Sequence, residues 1–518
     1  MSLPVSRGVL GGSARHATSL PWYVRHRVLL DLVLPALCLA VCVAWASCLP
    51  VDQAPDEYMR TPIPLYILQH GELPLGSAPE IRNEIWGSSY GYTPYGTSLL
   101  SVVFGWVAGA LGAGEAGVLF AFRLPSCLFV AAAVLVCEKV GRRLFASPVA
   151  PYAFGAFVGF LPQVVFLGSY LNQDSMTIFA TALVLHAWLV GIDRRWDLGS
   201  ALLLGVALGV LALSYYFAYG FVLLSIVVYV VSGARMVREG QARTRSLALH
   251  ALVVFAVAMV VGGWFFVRNF LLYDGDLFGR SASSRLAEQY AMPGYRPSDH
   301  PTPQSNGVGV LEMVRGPYGG TRWWATTAKS FIGAFGYMTE YLSYKVYAGY
   351  ALVLGVGVVL SPVYLLRGRR VRHKALVIGS LVACALIVVG LDVYYSWAVD
   401  YQPQGRYLMG ALVLLMLLAA AGVDALACGL CRRGSRVADA EAAEGAAAGV
   451  ETGVDRVGAA DPGTALAGDA TPGAACQPAA ATRAGDLLAL AFPALYLVFF
   501  AYVAARTIIP LCTGGIIS

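Results

Sequence analysis

An all-α integral membrane bundle of about eleven transmembrane helices is the fold this sequence predicts, and three observations predict it. The 518 residues are 58% hydrophobic and 13% charged, where soluble domains carry roughly 25% charged residues. Apolar runs of about 20 residues, enough to cross a bilayer, recur along the chain. Lys and Arg gather in short clusters between those runs, the pattern that marks the cytoplasmic ends of membrane helices. The net charge of +6 implies no nucleic-acid partner, because the information lies in where the cations fall along the chain.

The first 27 residues end in Arg25-His26-Arg27 and read as a cytoplasmic segment. The apolar run from Val28 to Pro50 exceeds the roughly 7–15-residue core of a cleaved signal. It is the first span, uncleaved at Ala44-Trp45-Ala46, with the N-terminus inside. Basic clusters then recur at Lys139/Arg142/Arg143, Arg194/Arg195, Arg235–Arg245, Arg367–Lys374 and Arg432–Arg436. An even number of crossings must separate successive clusters. Five pairs of runs fit: 28–50 with 120–138, 150–168 with 175–192, 198–214 with 216–233, 247–267 with 346–366, and 375–394 with 407–430. A last run at 485–507 leaves the C-terminus outside. Thr97–Gly114 also looks apolar enough to span, but counting it would break the alternation. It is read as a juxtamembrane or re-entrant helix of the outer face, allowed where protein covers its backbone.

The expected organisation is a cytoplasmic segment at 1–27 and a transmembrane domain at 28–431 with outer loops at 51–119 and 268–345. A cytoplasmic insert at 432–484 and a last helix with an outer C-terminus at 485–518 follow. The insert is rich in Ala, Gly, Thr and Asp without aromatic residues, so it cannot bury a core and is expected to be disordered. Most of the ten cysteines sit inside apolar runs, where they pack as small apolar side chains rather than as a disulfide framework. Cys428 and Cys431 form one CxxC without a second ligand pair, a weak zinc signal.

The notable charges collect at the outer ends of the spans. Asp52, Asp56, Glu57 and Arg60 follow the first; Arg123 opens the second; Asp174 lies between the third and fourth. Arg268, Asn269, Asp274 and Asp276 follow the seventh, and Asp392, Asp400 and Arg406 flank "DVYYSWAVDYQPQGRYL". Span centres are nearly free of charge, with His186 and Asp31 the main exceptions. An ion-coupled transporter places its sites near the midplane, so this distribution favours an enzyme acting at the outer surface on a lipid-carried substrate. Transfer from a lipid phosphate needs a carboxylate as general base for an acceptor hydroxyl. It also needs cations on the leaving phosphate, where Arg supplies a planar fork. Pro55-Asp56-Glu57 suits a helix start, with acids at the positive end of the dipole. Plainer roles stay open for each residue. Asp56 and Glu57 could cap a loop helix, and Arg123 and Arg268 could anchor at headgroups. Asp174 could cap its helix, His186 could pack between helices, and Tyr394, Tyr395 and Trp397 could form an aromatic belt.

The motifs "APDEYMR…HGELP", "FRLPS…GRRLF", "LNQDS", "VRNFLLYDGD", "SFIGAFGYM" and "QGRYL", in that order between about residues 50 and 430, carry a family resemblance. The chain resembles a large bacterial family of multi-spanning membrane proteins long labelled as a domain of unknown function. That family is similar to the GT-C glycosyltransferases, which include protein O-mannosyltransferases and the aminoarabinose transferases of lipid A. The resemblance implies a GT-C-like bundle with juxtamembrane helices in the first outer loop, and an acidic base there, by position Asp56 with Glu57 beside it. Two departures stand out: Asp274 occupies a usual Gly position, and Arg60 stands where the family commonly has His.

The expected activity is an inverting transfer of sugar from a polyprenyl-phosphate donor to a glycan, lipid or protein acceptor outside the cytoplasmic membrane. A glycan polymerase or ligase, or a lipid-linked sugar flippase, is the alternative. The catalytic candidates are Asp56 and Glu57. The substrate-binding candidates are Asp52, Arg60, Arg123, Asp174, Arg268, Asn269, Asp276, Gln404, Arg406 and Tyr407. The donor lipid is the substrate expected in place of a cofactor; a divalent metal is left open, and no spacing indicates one.

Overall fold

A computed structural model describes residues 27–50, 53–366, 373–429 and 481–510. The expected N-terminal segment up to residue 26, Asp52, Cys431 and the insert up to residue 480 lie outside the described residues. Helices make up about three quarters of the described chain; its strands are two antiparallel pairs of two residues each, at 317–322 and 334–341.

The first helix, α1, is Arg27–Cys48. A single turn, α2 (Glu57–Arg60), and a short helix, α3 (Pro62–His70), follow it. Then come α4 (Gly96–Ala110), α5 (Glu115–Leu144), α6 (Ala150–Gly159) and α7 (Pro162–Leu167). The next four are α8 (Asp174–Asp193), α9 (Leu198–Ala212), α10 (Gly220–Arg238) and α11 (Thr244–Leu272). Two loop helices, α12 (Arg280–Tyr290) and α13 (Val310–Arg315), precede α14 (Trp323–Ile332). The last four are α15 (Tyr344–Leu366), α16 (Lys374–Ala398), α17 (Gly405–Gly429) and α18 (Ala481–Val503).

Among the described residues nine helices are long and apolar enough to cross a membrane. The other two expected spans depart from that rule for local reasons. The run at 150–168 is broken into α6 and α7, with Leu161 extended (φ −72°, ψ 128°) ahead of Pro162. A proline supplies no N–H and drives its predecessor out of the helical region. The run at 198–214 stops as α9 after 15 residues, about 22 Å against a hydrocarbon core of roughly 30 Å.

Contacts between helix ends sort the bundle into two faces. On one, Arg142 pairs with Asp31 and Arg143 with Asp193. Asp424 accepts from the Ala146 and Ser147 amides at 2.8 and 2.7 Å, and Arg235 meets His373 at 3.1 Å. Among the described residues, the basic clusters at 139–143, 194–195 and 235–245 therefore share this face. On the opposite one, Arg123 donates to the Ala46 and Leu49 carbonyls at 2.7 and 2.6 Å, and the Gly96 amide to the Leu213 carbonyl at 3.1 Å. Helix α4 both begins and ends there. It starts against the end of α9, packs along the first turns of α5 through Ser101 Oγ to the Phe122 carbonyl (2.7 Å), and joins α5 by a short turn.

Helices α5 and α8 form the centre; the most apolar stretch of α8 is 83% buried. Leu252, Phe255 and Val260 of α11 stand exposed on the outside, as side chains facing lipid tails do. Cys38, Cys42, Cys127, Cys137 and Cys384 are buried and free, whereas Cys48 is disulfide-bonded.

Candidate active site

After α1 the chain turns through Pro55 and places Asp56 in the left-handed region (φ 63°, ψ −1°). Asp tolerates that conformation better than most residues. The helix expected to start at Pro55 starts instead at Glu57 and lasts one turn. Two adjacent carboxylates thereby part company.

Asp56 turns into a cavity of ≈ 750 Å³, where its Oδ2 lies 2.7 Å from Arg406 Nη2. Arg60 stands beside it, its guanidinium 4.2 Å from the centre of the Tyr90 ring. Burial pushes the Asp56 carboxyl up. The charges of Arg406 and Arg60 and hydrogen bonds from Arg406 and Tyr90 outweigh that and hold it below its ordinary value. The arginines, rather than the end of a one-turn helix, keep Asp56 ionised.

Glu57 turns the other way, into the protein, where it is 2% exposed. It takes Arg123 in a two-pronged pair, Nε to Oε1 at 2.8 Å and Nη2 to Oε2 at 2.7 Å, and accepts the Leu171 amide at 3.1 Å. Through the carbonyls of Ala46 and Leu49, Arg123 also caps α1. The sequence reading gives Glu57 to catalysis and Arg123 to substrate; the structure pairs them with each other, away from the cavity lining.

Arg406 sits in the first turn of α17, 9% exposed. The preceding Gly405 donates its amide to Ser330 Oγ at 2.8 Å, and a Cβ there would stand 2.1 Å from the Phe331 amide nitrogen. Only glycine fits, and this fixes where Arg406 emerges. The Nε atoms of both Arg406 and Arg60 are buried without a partner among the described residues. Gln404 and Tyr407 line the cavity beside them.

The remaining candidates take other places. Asp174, 5% exposed, begins α8 just behind the cavity-lining Gln173 and within electrostatic reach of Arg406 and Arg60. Arg268 donates to the Leu73 and Pro74 carbonyls, Asn269 to the Tyr92 carbonyl at 3.0 Å, and Asp276 accepts the Ala282 amide at 3.0 Å. Arg268 and Asn269 tie the two long loops together, Asp276 braces its own loop, and none of the three lines the cavity. Cavity-lining Tyr90, Tyr215, Tyr216, Tyr219 and Tyr395 were missed as site residues; the run "SYYFAYG" was the visible signal for Tyr215, Tyr216 and Tyr219. Tyr215 and Tyr407 stack with centroids 5.8 Å apart and planes 7° from parallel.

Among the described residues no group of three or more His, Cys, Asp or Glu is placed to hold a metal ion. Asp56, two arginines whose Nε atoms have no partner among the described residues, and a wall of tyrosines can receive an anion beside an ionised acid.

No family model and no curated protein matches the chain. Solved structures do. The archaeal oligosaccharyltransferase AglB from Archaeoglobus fulgidus, in complex with an inhibitory peptide and a dolichol-phosphate, aligns with a TM-score of 0.52 at 16% identity, over 93% of this chain and 56% of its own. Its apo form gives 0.50 at 15%, with the same coverage. ArnT from Cupriavidus metallidurans bound to undecaprenyl phosphate gives 0.46 at 17%, over 94% and 74%. The chain spans a little over half the length of the oligosaccharyltransferase it matches. At such identities the likeness is one of fold: the chain shares the all-α membrane fold of that oligosaccharyltransferase.

Proposed function

We propose that the chain is a glycosyltransferase that moves a sugar from a polyprenyl-phosphate donor to an acceptor hydroxyl, with Asp56 as base. One observation carries this reading: the cavity holding Asp56, Arg60 and Arg406 adjoins an apolar groove of ≈ 520 Å³. Tyr219 and Phe278 line both. The groove lies between α9, α10 and α11, with Leu204, Leu208, Val222, Val254, Phe255 and Met259 along it. A phosphate held at the arginines would leave an attached isoprenoid tail lying in that groove, at bilayer depth. The structural likeness to an oligosaccharyltransferase complexed with dolichol-phosphate supports the same donor class.

In the transfer, the acceptor oxygen attacks the anomeric carbon as its proton passes to the Asp56 carboxylate. The bond from that carbon to the phosphate oxygen breaks, and the electron pair leaves with the phosphate onto Arg406 and Arg60. Before this, Arg406 must exchange its carboxylate for the phosphate. An arginine shared in this way binds donor while releasing the base from its partner.

Two measurements test the reading. Native mass spectrometry of the purified protein is expected to show a co-purified polyprenyl phosphate, and Val254→Trp, which fills the groove, is expected to abolish it. Arg406→Lys keeps the charge and loses the fork, so donor affinity is expected to fall about tenfold. Donor binding unchanged in Arg406→Ala would remove the arginine from the phosphate site.

A further inference from the structure

Away from the groove, the cavity is walled by loops rather than by membrane helices, and its side chains change character. The wall joins two segments far apart in sequence. The Met292 amide donates to the Ile85 carbonyl at 3.1 Å, Ser88 and Ser283 hydroxyls meet at 2.7 Å, and Arg82 lies 3.9 Å from the centre of the Tyr290 ring. Gly87 makes the junction possible: it takes φ 64°, and a Cβ on it would sit 2.2 Å from the Ala291 amide nitrogen. Asn83 Oδ1 accepts the Ile85 and Trp86 amides at 3.0 and 2.8 Å. Trp86 is therefore held in place by its own turn and by the opposite loop.

Around Trp86 stands an aromatic group that faces the cavity. The Tyr295 ring meets it edge-on at 5.2 Å between centroids, and His300 lies nearly parallel at 5.9 Å. The Trp86 indole N–H has no hydrogen-bond partner among the described residues, and Tyr295 is 42% exposed. Ser88, Ser283, Ser284, Asp400 and Gln402 line the same cavity. None of these residues lines the apolar groove.

We propose that this rim is a saccharide subsite for the acceptor, so that the hydroxyl delivered to Asp56 belongs to a glycan. The inference rests on the glycosyltransferase reading and adds the acceptor class to it. A pyranose presents a face of polarised C–H bonds, which the negative face of an aromatic ring attracts. Its hydroxyls both donate and accept, and serine hydroxyls, an imidazole and a free indole N–H answer both roles. A lipid acceptor would want continuous apolar surface, which this rim lacks. An extended peptide would want unpaired backbone along a strand edge, whereas the rim offers side chains. Rings fixed before binding also lose little entropy when a flexible glycan stacks on them.

The test uses the full-length protein in nanodiscs and saturation-transfer NMR with three probes: a panel of neutral and acidic trisaccharides, a polar hexapeptide, and farnesyl phosphate. At least one trisaccharide is expected to receive saturation. Its affinity should drop about tenfold or more in Trp86→Ala and in Tyr295→Ala, and be largely kept in Trp86→Phe. Farnesyl phosphate should bind equally in all three variants, which also shows that they are folded. The subsite is overturned if no trisaccharide binds, if binding ignores Trp86 and Tyr295, or if the hexapeptide binds in their place. Trisaccharide binding without farnesyl phosphate binding would keep the subsite and sink the donor reading.

Discussion

Asp56→Asn is expected to reduce transfer by about 10²- to 10⁴-fold, the usual contribution of a positioned base, while the donor lipid still binds. The substitution preserves size and removes the charge that occupies Arg406 at 2.7 Å, so donor affinity should hold or rise as turnover falls. That opposite movement separates loss of a base from general damage. The pH dependence follows from the same pair. The Asp56 carboxyl in the free protein lies below its ordinary value, so the acid limb of kcat/KM for donor should fall below the usual carboxylate range near 3.9. In the donor complex the phosphate shares Arg406, and the acid limb of kcat should lie higher. The stability that the pair contributes has the matching sign: present above the unfolded value and lost as pH falls through the folded one. Steady-state assays of variant and wild type across the acid range check both limbs. Near-normal turnover by Asp56→Asn would remove the base from this position.

The second large effect concerns stability rather than rate. Glu57→Ala leaves Arg123 charged, 5% exposed on its side chain and without a counter-ion. Breaking a buried pair from one side costs about 3–5 kcal/mol, and the Leu171 amide loses its acceptor as well. The variant should insert poorly or unfold at a distinctly lower temperature in detergent. Glu57→Gln, which can still accept hydrogen bonds, should fare better. The double variant Glu57→Gln with Arg123→Met should recover part of the loss, because no unpaired charge remains. Wild-type thermal stability for Glu57→Ala, read by fluorescence-detected unfolding, would contradict the buried tie.

Much of the bundle could be read from composition, because long apolar runs and basic clusters report on lipid and on the two faces without any tertiary information. The failures were local. Composition sees 150–168 as one run, although Pro162 divides it, and it cannot see that α9 ends at Ala212 before an extended Tyr215. Inside the site the sequence put Asp56 and Arg406 at ends of spans on one face, and the structure brings their side chains to 2.7 Å in one cavity. Adjacent helical residues face different ways, so the sequence parts Asp56 from Glu57, but it could not see that a single left-handed residue does the parting. Nor could it distinguish residues that hold loops from residues that face a ligand. Arg268, Asn269 and Asp276 carry polar side chains in motif order, yet their partners are backbone atoms of the same two loops. The rim around Trp86 was invisible for a different reason: it exists only where residues near 87 meet residues near 291.

The divergence of the two neighbouring carboxylates also sets a timetable for synthesis. Glu57 finds its arginine 66 positions later, within the second span. Asp56 waits for Arg406, 350 positions on, in the last helix before the insert. At translation rates of about 5–20 residues per second, the 282 residues between the two arginines take roughly 15 to 60 s to emerge. During that interval the early pair already clasps α1 to α5, while Asp56 remains without its guanidinium. The nascent bundle is thus anchored long before its cavity can close, and the charge balance of that cavity is among the last things ribosome and membrane complete.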